Sequence, residues 1–144
     1  MDVKDVMVKE IVTVNPTTKI VDAVELMNKN DIGCLVVTRK GRPVGIMTER
    51  DVLKKIVCGC KDPEQTRVSE VMSKPLVVGR VDMDWLEAVK MMLDRNIKKL
   101  PILEGERLVG LVTLTDIARM RMLQALEMDT LTFGILSRHK QSPG

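Results

Sequence analysis

The stretches VGIMTERD (residues 44–51) and VGLVTLTD (residues 109–116) carry the same three chemically distinctive residues at the same spacing. Each has a glycine inside an apolar run, a threonine three residues on and an aspartate three beyond that: Gly45, Thr48 and Asp51, then Gly110, Thr113 and Asp116. Thr-x-x-Asp has two readings. As a helix cap, the threonine accepts from an orphan amide and the acid favours the positive end of the helix dipole. As a binding device, a short carboxylate at a strand-to-helix junction accepts both hydroxyls of a vicinal diol such as ribose, and nearby helix amides face a phosphate. Three features weigh toward the second reading. A reciprocal cap favours the longer Glu or Gln, whereas both stretches use Asp. A glycine inside an apolar strand costs stability unless something must approach the backbone. The combination also occurs twice, 65 residues apart.

That interval extends well beyond the motif. Residues 3–57 align with 68–122 without a gap and with about 15 identities, the signature of an internal duplication. Each copy reads as strand, helix, strand, strand, helix. A short apolar stretch (11–14, or 76–78) leads to a helix-period segment whose inner face carries Ile20, Val21, Val24 and Met27, or Trp85, Ala88, Val89 and Met92. Asp84 and Glu87 suit the start of the second of these helices. Two strands joined by RKGRP or EGER follow, and then a second helix. One copy of about 55 residues sits near the lower limit for an independent core. The expectation is therefore an α+β protein, a duplicated β-α-β-β-α repeat packed through its sheets about a pseudo-twofold. Its divisions are residues 1–60, 61–122 and a C-terminal helix extension and tail over 123–144, with regular helix ending near Met128.

Composition narrows the function. The net charge of +3 is dispersed, which disfavours nucleic acid as a partner. No apolar run reaches a membrane span and the first residues lack a signal-peptide layout, so the expected location is the cytoplasm, without membrane contact. Cys34, Cys58 and Cys60 cannot all pair within one chain and read as free thiols; Cys58 and Cys60 lack the further ligands that zinc requires. With no Tyr, one Phe and one Trp, a planar ligand must be held by aliphatic groups and backbone. No set of acid, base and nucleophile suggests an enzyme, and the one histidine, His139, lies in the tail.

The duplicated G-h-h-T-x-x-D motif, with VKDVM and VSEVM ahead of the two copies, resembles a tandem pair of CBS (cystathionine β-synthase) domains over residues 1–122. The resemblance implies a regulatory module that binds AMP, ADP, ATP or S-adenosylmethionine between the copies and forms a homodimer, with no catalytic cofactor and no metal. On matching positions it implies that Asp51 and Asp116 hold ribose hydroxyls, and that Thr48 and Thr113 contact ribose or phosphate. The adenine would lie against Val12, Thr13 and Cys34 in one copy and Val77, Val78 and Leu100 in the other. The copies differ where a phosphate would be read: Arg50 aligns with Thr115, and Gly33-Cys34 with Lys98-Lys99. Those lysines are either solvated surface charge or part of a cleft, serving either aspartate. No fused enzyme or transporter follows the repeats, so a sensor would act in trans on a partner protein of unknown identity. The alternative is a ligand-free interaction scaffold.

Overall fold

The computed structural model describes residues 1–74 and 76–141, with side chains described up to residue 128. Each repeat builds one three-stranded sheet. In the first, β1 (Thr13–Val14) runs parallel to β2 (Cys34–Arg39), which pairs antiparallel with β3 (Arg42–Thr48); in the second, β4 (Gly79–Arg80), β5 (Lys99–Glu104) and β6 (Arg107–Thr113) do the same. The helices are α1 (Ile20–Asn30), α2 (Glu49–Val52), α3 (Trp85–Asp94) and α4 (Leu114–Gln141). The expected α+β duplication is thus present. Pairing obeys the 65-residue interval, since Val14 opposes Val37 as Gly79 opposes Ile102.

Three elements depart from the sequence expectation. The stretch 76–78 is not the strand of the second repeat; β4 begins at Gly79, and Leu76 and Val77 are free to form a wall elsewhere. The helix after β3 has only four regular residues before a wider turn over Leu53–Val57, where the Cys58 amide reaches back to the Leu53 carbonyl. Helix α4 continues past Met128 to Gln141. Phe133, Ile135 and Leu136, apolar residues of the tail that the sequence offers for docking on a partner subunit, lie outside the described side chains.

The two cores do not follow the order of the sequence. Val3 and Val6 are buried with Ala88, Met92, Leu100, Ile102, Val112 and Ile117 of the second repeat. Val68, Val71 and Met72 are buried with Ile20, Ala23, Met27, Leu35 and Met47 of the first. Each leading segment therefore fills the other repeat's interior. Backbone pairing fixes the exchange: Val8 bridges Leu111 on β6, and Ser73 bridges Ile46 on β3. The sheet edges beside β3 and β6 are thereby partly covered, which limits their availability to other strands.

This exchange explains the two in-strand glycines. A Cβ at Gly45 would lie 2.6 Å from Met72 Sδ and 3.2 Å from the Ser73 carbonyl oxygen, and at Gly110 it would collide with Met7. The close approach inferred for a ligand is made instead by the protein's own exchanged segment. The connection between repeats is also structural: the Ile20 and Val21 amides at the start of α1 donate to the Thr66 and Pro63 carbonyls. That segment serves as a backbone cap in place of a side chain at Lys19. At the start of α3, Asp84 caps as expected, accepting from the Leu86 amide at 3.2 Å. No helix among the described residues is long and apolar enough to cross a membrane.

Candidate functional site

The Thr48–Asp51 motif lies where β3 turns into α2. Thr48 has extended backbone and its Oγ1 accepts from the Asp51 amide at 3.2 Å, while Asp51 Oδ2 accepts from the Thr48 amide at 2.9 Å and from Thr48 Oγ1 at 3.1 Å. Both halves of a capping box are formed, so the inference that aspartate is too short to close one is overturned in this repeat. Strand-to-helix geometry brings the Thr48 amide close enough for the shorter acid. Two of the first-turn amides that could have faced a phosphate are already engaged: Glu49 N donates to the Gly33 carbonyl and Asp51 N to the threonine. Ser73 Oγ lies 3.3 Å from Asp51 Oδ1, and Lys55 Nζ lies 4.0 Å from the same oxygen.

The second repeat differs. The Asp116 amide donates to Thr113 Oγ1 at 3.0 Å, but its carboxylate lies 3.7 Å from Arg119 on the next turn of α4. Asp51 retains 15% side-chain exposure and Asp116 28%, so both carboxylates remain reachable from solvent.

Asp51 opens into a cleft of about 410 Å³ between the repeats, in the range of small-molecule sites. The first repeat contributes Gly33, Ile46, Thr48, Glu49, Arg50 and Asp51. The other wall is Ser73, Leu76, Val77, Asn96, Ile97, Lys98, Lys99 and Pro101. The lysines that could have served either aspartate therefore share a cleft with Asp51. Three cationic and two anionic side chains line it, beside an aliphatic wall of Ile46, Leu76, Val77 and Ile97.

Other expected residues fall elsewhere. Leu100 is fully buried in the second core because it points to the opposite sheet face from Lys99 and cannot touch a ligand in the cleft. Cys34 is buried opposite Thr48 in the β2–β3 pair. Burial pushes its thiol pKa up, with the Lys99 charge acting in the opposite direction and Glu49 reinforcing the rise. Val12 packs against the first core, Thr13 is exposed on β1 and Val78 is half-buried; none of the three lines the 410 Å³ cleft. Nor do Thr113, Thr115 or Asp116. Val77 does line it, across from the aspartate of the other repeat.

Ser73, Glu49, Asn96 and Pro101 were not anticipated. Ser73 had a signal in the repeat alignment, where it replaces Val8 of the first copy with a hydroxyl. Asn96 occupies a left-handed conformation (φ 53°) just after α3, as Asp31 does (φ 51°) after α1. Asn and Asp tolerate that region better than most residues, and the conformation turns the chain from helix into the cleft wall.

Comparison with known proteins agrees with this architecture. A family model described as the CBS domain matches residues 3–58 and again 68–122. The CBS domain-containing protein YhcV of Bacillus subtilis is 38% identical over 116 residues, which span 81% of this chain and 82% of that protein. A Methanopyrus kandleri protein, MK0525, is 37% identical over 119 residues, spanning 81% of this chain and 61% of its own length. Among solved structures, the CBS domain pair of protein MJ0100, in complex with 5′-methylthioadenosine and S-adenosyl-L-methionine, superposes with a TM-score of 0.78 at 26% identity. That match covers 86% of this chain and 98% of the other. With both repeats matched by the family model and their strand pairing in the same register, the chain belongs to the CBS domain family as a tandem pair.

Proposed function

We propose that the chain is a regulatory module, not an enzyme, that binds an adenine nucleotide in the Asp51 cleft and passes its occupancy to a partner protein in trans. The observation that carries this reading is the meeting, across the repeat boundary, of Asp51 with Arg50, Lys98 and Lys99 beside an aliphatic wall. The ribose hydroxyls would donate to the Asp51 carboxylate, taking over from Ser73 Oγ. Thr48 stays with its cap and offers its remaining hydrogen-bonding capacity to the sugar. The adenine would lie on Val77 and Ile97, and the lysines would face the phosphates. AMP, ADP and ATP suit this arrangement.

The ring of positions equivalent by repeat around Asp116 is poorer in charge, with Thr115 for Arg50, Gly33-Cys34 for the two lysines and Val8 for Ser73. It fits an uncharged or cationic adenosine derivative better. S-adenosylmethionine is the second reading for that side, supported by the complex formed by the MJ0100 pair. Val12, Thr13 and Cys34 would face such a ligand with Asp116 and Thr113. Three free cysteines suit a reducing compartment such as the cytoplasm, and a homodimer is the assembly we propose.

Thermal unfolding with AMP, ADP, ATP and S-adenosylmethionine tests the reading. A ligand at a hundredfold excess over its Kd stabilises by about 2.7 kcal/mol. The expected order is ATP above AMP, with the preference removed in a Lys98→Ala/Lys99→Ala variant. No shift with any of the four at millimolar concentration leaves the ligand-free scaffold as the function.

A further inference from the structure

The two carboxylate oxygens of Asp51 have different surroundings. Oδ2 is engaged in the cap of α2, accepting from the Thr48 amide at 2.9 Å and from the Thr48 hydroxyl at 3.1 Å. Oδ1 faces two groups from beyond the motif, Ser73 Oγ at 3.3 Å and Lys55 Nζ at 4.0 Å. A ribose hydroxyl that took Oδ2 would undo the start of the helix, so Oδ1 is the oxygen left for a ligand, and whatever holds it in place bears on affinity.

Lys55 is fastened at a second point. Its ammonium donates to the Val71 carbonyl at 2.8 Å, and Val71 is fully buried in the first core, where an unpaired carbonyl is costly. One side chain thus joins Asp51 to the exchanged segment, just ahead of Ser73. Lys55 does not line the 410 Å³ cleft, so its influence on a ligand there passes through Asp51. The second repeat is built otherwise: Met120 stands at the position of Lys55 and packs against the second core, Val8 stands at that of Ser73, and Asp116 pairs with Arg119 of its own helix. The wide turn over Leu53–Val57 that carries Lys55 matches residues 118–122, which are regular helix within α4. Wide turns inside helices are frequent at functional positions.

We propose that Lys55 is a positioning residue of the nucleotide site: from outside the cleft it holds Asp51 Oδ1 toward the ribose and ties that oxygen to the exchanged segment through the Val71 carbonyl. At 4.0 Å the ammonium is beyond hydrogen-bond reach of Oδ1, which leaves the oxygen's acceptor capacity to a hydroxyl. Its bond to Val71 keeps it from closing on the carboxylate. When the ribose displaces Ser73 Oγ from Oδ1, Lys55 remains the link between the occupied carboxylate and residues 68–73. Nucleotide binding and the packing of an exchanged segment are thereby tied together at the aspartate of the first repeat.

Lys55 has this role only within the nucleotide reading above, and calorimetric titration of the full chain with AMP and with ATP separates the two. Lys55→Met, which copies residue 120, and Lys55→Gln, which keeps a donor for Val71, both remove the charge; Lys55→Arg retains it. Thermal unfolding confirms that each variant is folded. The two uncharged variants should bind about threefold to tenfold more weakly and the arginine variant within about twofold of the parent. The loss should be the same factor for AMP and ATP, because it arises at the ribose; a general loss of positive charge would weaken ATP more. On an Asp51→Asn background, Lys55→Gln should change affinity by less than about twofold. If the uncharged variants bind as the parent does, or lose as much again on Asp51→Asn, Lys55 only braces Val71 and its role at the site is wrong while the nucleotide reading stands. Tighter binding by the uncharged variants would make Lys55 a competitor for Oδ1 and overturn the role as well. A parent that binds neither nucleotide sinks the reading and the role together.

Discussion

Asp51 closes the cap of α2 and, in the function proposed above, holds the ribose, and the two duties can be separated by substitution. Asp51→Asn keeps an oxygen able to accept from the Thr48 amide, so its stability should fall by less than about 1 kcal/mol, whereas Asp51→Ala loses the cap and should cost about 0.5–2 kcal/mol. Both remove a charge-assisted acceptor for ribose, worth about 1.5–3 kcal/mol, and should weaken nucleotide binding roughly tenfold to a hundredfold. Calorimetric titration beside thermal unfolding measures the two effects; equal affinity in Asp51→Asn and the parent would remove the carboxylate from the site. The buried thiol of Cys34 supplies a second check. With its folded pKa raised above the unfolded value, this thiol favours the folded state below the unfolded pKa, and that contribution is lost as pH rises through the folded value. Thiol titration near pH 8 should therefore modify the exposed Cys58 and Cys60 rapidly and Cys34 slowly. Three fast thiols would show that β2 opens readily at the cleft.

At the scale of elements, the glycines in β3 and β6 couple strand packing to the site. A methyl at residue 45 meets Met72 Sδ, which can bend away, and the Ser73 carbonyl, which is pinned by its pairing with Ile46. Gly45→Ala should thus cost about 1–3 kcal/mol through overpacking. It should also weaken nucleotide binding, because the displaced segment carries Ser73, whose hydroxyl contacts Asp51. Combining it with Met72→Ala should cost less than the two separate losses together, as expected for residues in contact; strict additivity in thermal unfolding would deny the contact. The sequence disclosed that these glycines make room, since two of them recur in apolar strands. It did not disclose what they admit, because Gly45 admits Met72 from ahead of the second repeat and Gly110 admits Met7 from ahead of the first, and no local period records that. The helices and paired strands were readable from apolar spacing, as Ala23 and Met27, or Ala88 and Met92, attest. The ends of α2 and α4 were not: the first depends on a wide turn, and the second lies past residue 122, where the repeat that guided the reading has ended.

The whole molecule is two cores locked by exchange of their leading segments, and this decides how a ligand signal can travel. Ser73 belongs to a segment that buries Val68 and Val71 in the first core, lends a hydroxyl to Asp51 and then forms the cleft wall at Leu76 and Val77. Occupation of the cleft must therefore act on the first repeat's interior and on the entry to β4 together. A ligand can move that arrangement only by its differential affinity for two packings, so the exchanged segment is the element to watch. The exchange makes a prediction that sequence order alone would reverse. Val3 lies ahead of the first repeat but is fully buried in the second core. Replacing it with Ala removes two buried carbon groups, about 2 kcal/mol with the cavity left behind. Hydrogen exchange of Val3→Ala should quicken at β5 and β6 and leave β2 and β3 near parental rates, while Val68→Ala should do the opposite. If Val3→Ala instead loosened β2 and β3, the leading segments would belong to the repeats they precede. The cleft at Asp51 would then lack the Ser73 contact that joins its walls.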